Sequence, residues 1–126
     1  MEKFKSAFIS YSTDASIRAS QITGYLKPLG IDTFDFKRDM GAGANVPKTV
    51  RDAIRARDAI ILILSVKARA STWVASELGF AAALEKPIIV YKTAHNLELP
   101  DYLEKFDYRL LSKLEDLDQF FTRSDS

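Results

Sequence analysis

The chain has no cysteine, which excludes a disulfide framework and any thiolate metal site. It has a single histidine, His95, too few for a histidine-built metal centre. No apolar run approaches the ~20 residues that span a bilayer, and the opening MEKFKSAFISYS is too short in its apolar part for a secretory signal. These absences lead to the expectation of a cytoplasmic protein without membrane attachment. Net charge is only +1, which argues against nucleic acid as the main partner. No G-x-G-x-x-G or Gly-Lys-Ser/Thr phosphate loop occurs: Gly41 to Asn45, GAGAN, supplies two glycines and no more. There is no G-x-S-x-G elbow to make a hydrolase triad of His95, which is read as a surface residue.

What remains is a chain of 126 residues, 47% hydrophobic and 28% charged, which fits one domain over residues 1–126 with one core. Strand and helix patterns alternate along it. Ser6 to Tyr11 reads as a strand, and Asp14 or Ser16 can cap a helix to about Leu29, with Ile17, Ile22, Tyr25, Leu26 and Leu29 as its apolar face. Ile31 to Phe36 is a second strand, followed by the loop KRDMGAGAN. Asn45 can cap a helix whose buried stripe is Val46, Val50, Ala53 and Ile54, with Lys48, Arg51 and Arg55 outward. Ala59 to Leu64, AIILIL, is apolar on both faces, as in a central parallel strand. Pro87 to Tyr91 and Phe106 to Leu111 complete five strands. A helical turn near Tyr102 and an amphipathic helix from about Leu114 to Phe121 follow, and the last five residues are expected to fray. The alternation predicts an α/β, flavodoxin-like, doubly wound parallel sheet of order 2-1-3-4-5 flanked by helices, with its ligand crevice between strands one and three.

One residue breaks the pattern of its surroundings. Glu77 is the only charge among the fourteen residues from Ser71 to Leu84, STWVASELGFAAAL. A helix apolar all round is a buried helix, and a carboxylate on it must line a cavity, find a cation or hold its proton. The alternative is that Glu77 lies on the solvent edge. Trp73, four residues earlier, shares its helix face, and the pair points toward the expected crevice. Charge is also segregated. Lys37 to Arg69 carries eight basic and three acidic residues, and Glu98 to the end carries eight acidic and four basic, so copies can attract one another head to tail. Both sets also fit simple solvated faces.

These segments together resemble a Toll/interleukin-1 receptor (TIR) domain, and the resemblance covers nearly the whole chain. AFISYS resembles the first family box. FDFKRDMGAG with Val50 and Ala53-Ile54 resembles the second. AIILILS followed by Ser71, Trp73, Glu77 and Leu78 resembles the third strand and the catalytic helix. Small bacterial TIR proteins are the nearest in pattern, although Met40-Gly41-Ala42-Gly43 replaces the common Pro-Gly form of the loop. The resemblance implies an enzyme that hydrolyses or cyclises NAD⁺, with NAD⁺ as substrate and no cofactor. Glu77 would be its catalytic residue. Trp73 would wall the site, Phe8, Ser10, Tyr11 and Ser12 would border it, and Lys37 and Arg38 would approach the pyrophosphate. It further implies self-association through TIR–TIR contacts, a separate effector protein, and a role in signalling or antiphage defence. Two other readings stay open: a non-catalytic TIR–TIR adaptor, and an enzyme like the nucleoside 2-deoxyribosyltransferases, which share the fold class and a glutamate nucleophile.

Overall fold

The computed structural model describes residues 3–39 and 46–121, without the side chains of Lys37 and Arg38. The GAGAN loop with its expected Asn45 cap, Met40 and the last five residues lie outside the described residues. Five strands, β1 (Ser6–Ser10), β2 (Asp32–Asp35), β3 (Ala59–Leu64), β4 (Ile88–Lys92) and β5 (Tyr108–Leu111), form one sheet of order β2-β1-β3-β4-β5. Every pairing is parallel, with Ile9 opposite Ile61 and Ile61 opposite Ile89 in register. All six residues of β3 are buried, because it sits mid-sheet with helices over both faces.

The alternation of β1 assigns its side chains to two cores. Ala7 and Ile9 pack with Ala19, Ile22 and Leu26 of α1 (Ser16–Leu26). Phe8 packs on the opposite face with Val50 and Ile54 of α3 (Val46–Ala56) and Val74 and Leu78 of α5 (Thr72–Ala83). Ser71 caps α5, its hydroxyl accepting from the Val74 N–H at 3.1 Å. Two short helices complete the set, α2 (Phe36–Asp39) and α4 (Val66–Arg69).

Several local expectations are corrected. Neither Asp14 nor Ser16 caps α1, whose N-cap is Ala15. Asp14 instead reaches across to α4, accepting from Ser65 Oγ at 2.7 Å and from the Lys67 N–H at 3.1 Å. The loops after β1 and β3 are thereby tied together, a pairing that no local sequence pattern can show. Ile17 is not on the buried face: it is 79% exposed, because the buried stripe runs through Ala15, Ala19, Ile22 and Leu26 at helical spacing and leaves position 17 outside it. Leu114–Gln119 is a 3-10 turn rather than an α-helix, with only Leu117 buried. Gly30, at φ 76°, ends the α1 segment as expected of a left-handed cap. No described helix is long and apolar enough to cross a membrane.

Candidate active site

At the carboxyl ends of β1 and β2 lies a cavity of about 250 Å³, lined by Ile9, Tyr11, Ser12, Thr13, Phe36, Ser71, Trp73 and Glu77. Each wall is placed by a different element. β1 delivers Ile9 and then runs out into Tyr11, Ser12 and Thr13. Tyr11 is held by its hydroxyl, which donates to Asp35 Oδ1 at the end of β2. α2 brings Phe36, whose ring meets Trp73 edge-on at 6.1 Å and 70°. The second turn of α5 supplies Glu77.

Glu77 is 5% exposed, so the solvent-edge reading is excluded. Its Oε1 accepts from the Ser10 hydroxyl at 2.6 Å. Among the described residues no basic side chain pairs with it. Burial therefore dominates, pushing its pKa from 4.5 up to about 7, while hydrogen bonding from the Ser10 and Trp73 side chains pulls the other way. A carboxyl shifted toward neutrality in an aromatic-walled cleft marks a candidate functional site. On its other side Glu77, again with Trp73, borders a smaller cavity of about 100 Å³, lined also by Pro47, Val50, Arg51 and Ser76.

The structure thus brings together Glu77, Trp73, Tyr11 and Ser12. Ser10 sits behind the cavity wall, buried, with its hydroxyl committed to Glu77; it touches the carboxylate rather than the open space. Phe8 is not at the site. It lies two residues before Ser10 on the same face of β1, one pleat deeper under α3 and α5, where it is fully buried and stacks on Phe34 at 5.4 Å. Phe8→Leu is accordingly expected to lower stability by about 1 kcal/mol in urea unfolding. The side chains of Lys37 and Arg38 lie outside the described residues. Ile9, Thr13, Phe36 and Ser71 are additional wall residues. Phe36 reads as the last residue of the second strand, whereas it opens α2 and turns into the cavity; Ser71 reads as a helix cap, and Thr13 carries no signal of its own. His95 is exposed, and no group of three or more His, Cys, Asp or Glu able to hold a metal occurs among the described residues.

Fold and site together define a class: a doubly wound parallel α/β domain whose cavity at the carboxyl ends of β1 and β2 is bordered by a buried carboxyl, without a basic partner among the described residues, beside aromatic rings. The chain belongs to the TIR domain family, whose profile matches residues 7–123. No curated protein matches it at a significant level. Among solved structures, the TIR domain of a Toll-related receptor from the lower metazoan Hydra magnipapillata is similar, with a TM-score of 0.70, 22% identity and 82% of each chain covered. A 2-deoxyribosyltransferase from Bacillus psychrosaccharolyticus superposes with a TM-score of 0.69 at 15% identity, covering 91% of each chain. A CMP N-glycosidase from Clostridium botulinum superposes with a TM-score of 0.62 at 21% identity, covering 91% of this chain and 96% of its own. At these identities the likeness is one of fold.

Proposed function

We propose that this TIR domain is an NAD⁺ glycohydrolase or cyclase that breaks the bond between nicotinamide and ribose. The observation that carries the reading is Glu77: a buried carboxyl with no basic partner among the described residues, held by Ser10 and facing an aromatic-walled cavity. In the proposed reaction the C–N bond breaks with its electron pair going to the nicotinamide nitrogen. The ribose carbon becomes oxocarbenium-like, and ionised Glu77 stabilises that positive charge. Nicotinamide leaves as a neutral molecule, so no strong general acid is required. Water adding to the ribose carbon, with loss of a proton, gives ADP-ribose; an adenine nitrogen adding there gives a cyclic isomer. Tyr11, Phe36 and Trp73 offer ring faces to the planar nicotinamide.

A cavity of about 250 Å³ lies below the ~300–1,000 Å³ usual for a drug-sized ligand, so it suits one end of a dinucleotide. That fits a site completed when copies assemble. The exposed bases Lys48, Arg51 and Arg55 and the exposed acids Glu98, Asp101, Glu104 and Asp107 offer opposite charges for such contacts. Work in cytoplasmic signalling or antiphage defence, through a separate effector protein, belongs to the same reading.

The test is NAD⁺ turnover by concentrated protein, with products resolved by mass spectrometry. ADP-ribose or a cyclic isomer is expected, and the product mass separates hydrolysis from cyclisation. No NAD⁺ loss under crowding that demonstrably assembles the protein would favour the adaptor. A covalent deoxyribosyl adduct on Glu77 with deoxynucleosides would favour the transferase reading.

A further inference from the structure

Trp73 and Glu77 are the two residues common to the larger and the smaller cavity, so they form a partition with space on both sides. The two spaces differ in chemistry. The larger has aromatic walls. The smaller is bordered by Arg51 and by Ser76, both exposed. Three bases, Lys48, Arg51 and Arg55, line the outer face of α3, and Asp52 divides them. It takes Lys48 at 2.7 Å and Arg55 at 3.1 Å. Arg51 has no ion-pair partner among the described residues. Arg57 and Arg69, by contrast, pair with Asp32 and Glu98. Arg51, which feels Asp52 only through its field, thus keeps its guanidinium free of an ion pair among the described residues, and it borders the same space as the candidate catalytic carboxyl.

We infer that Arg51 binds the phosphate of a nucleotide whose ribose lies at Glu77, the base end occupying the larger cavity and the 5′-phosphate the smaller one. This deepens the NAD⁺ reading and rests on it for the order of groups: nicotinamide, ribose, pyrophosphate. That order matches aromatic cavity, Glu77 and Arg51 in space. A guanidinium suits the role because its planar fork bonds two phosphate oxygens at once and never loses its charge. Ser76, on the same wall, adds a hydroxyl donor.

The test uses Arg51→Ala and Arg51→Lys in the full chain, read by NAD⁺ kinetics and by calorimetric binding of ADP-ribose. For Arg51→Ala, KM for NAD⁺ is expected to rise about tenfold or more with kcat within about threefold, and ADP-ribose affinity to fall by a similar factor. Arg51→Lys is expected to recover part of both. Melting temperature should be unchanged, since Arg51 is an exposed helix residue. Unchanged KM and unchanged ADP-ribose affinity in an active enzyme would overturn the assignment and leave the NAD⁺ reading standing. If the wild-type protein cleaves no NAD⁺, that reading fails and ADP-ribose binding alone decides Arg51; wild-type protein that binds no ADP-ribose at millimolar concentration overturns it. A raised KM that accompanies lost self-association, with ADP-ribose affinity intact, assigns Arg51 to the contact between copies and equally overturns it.

Discussion

Glu77→Gln is expected to lower kcat/KM for NAD⁺ on the order of 10³-fold while leaving the fold intact. Gln keeps the volume and can still accept from Ser10, whose hydroxyl lies 2.6 Å from the native carboxylate. What it removes is the negative charge beside the ribose. In a site sheltered from water, a single fixed charge or donor aimed at developing transition-state charge is worth about 10²–10³ in rate. The pH profile carries the same signature in the wild-type protein. Because burial holds Glu77 near pH 7, kcat/KM should fall about tenfold per unit below neutrality and level off above it. The inflection in kcat should lie at lower pH, since the bound nicotinamide cation favours the ionised carboxylate. Steady-state rates from pH 5.5 to 8.5 on both proteins check this. A Gln variant within tenfold of wild type would remove Glu77 from the mechanism.

The second large effect is on stability, and its sign is opposite to that of ordinary surface carboxylates. Glu77 has a folded-state pKa of about 7 against 4.5 for an unperturbed carboxyl. Between these values the folded protein holds a proton that the unfolded chain has released. Stability contributed by this group is therefore fully present below about pH 4.5 and is lost as pH rises through about 7. A shift of that size corresponds to roughly 3 kcal/mol at about 1.4 kcal/mol per pH unit. Gln at this position cannot ionise, so the Glu77→Gln protein should escape the loss. Urea unfolding of both proteins at pH 4.5 and pH 8 gives the comparison. Asp14 and Asp52, whose carboxyls are held below their usual range by hydrogen bonds, oppose the trend on the acid side, but they do so equally in both proteins. The variant should be more stable than wild type at pH 8 by up to about 3 kcal/mol, and closely matched at pH 4.5. Equal pH dependence in the two would mean that the Glu77 carboxyl is solvated in the native state. A gain in stability from removing the proposed catalytic group is the expected mark of a site that trades stability for function.

Much of this was already present in local pattern. AIILIL could be nothing but a two-sided central strand, and it is buried at all six positions. Gly30 at φ 76° and the Ser71 cap sit where turn and capping chemistry require them. Glu77 was visible because one charge in an apolar helix is a physical anomaly wherever the helix packs. Trp73 followed from helical spacing. These readings depend on residues within a few positions of each other, where stereochemistry and periodicity act directly.

The sequence by itself determined the five-stranded parallel sheet and the identity of the anomalous carboxyl; the helix that carries it, read as buried all round, is buried only along Val74, Glu77, Leu78 and Ala81 and exposes Thr72, Trp73 and Ser76. Only the tertiary structure decided what surrounds that carboxyl. Ser10 lies 67 positions from Glu77 and 2.6 Å from it in space. Asp14 leaves its own helix to cap α4, 51 positions from the Ser65 hydroxyl that it accepts. Phe36 reaches Trp73 through a short helix with no periodicity to announce it. Phe8, which looked like a wall residue beside its neighbours, lies on the same face as Ser10 but one pleat deeper, in the core under α3 and α5. Arg51 becomes distinct from Lys48 and Arg55 only once Asp52 is seen to hold the other two. Local forces select elements, but the carboxyl's burial, its proton and its neighbours come from how a parallel sheet brings distant loops to one edge.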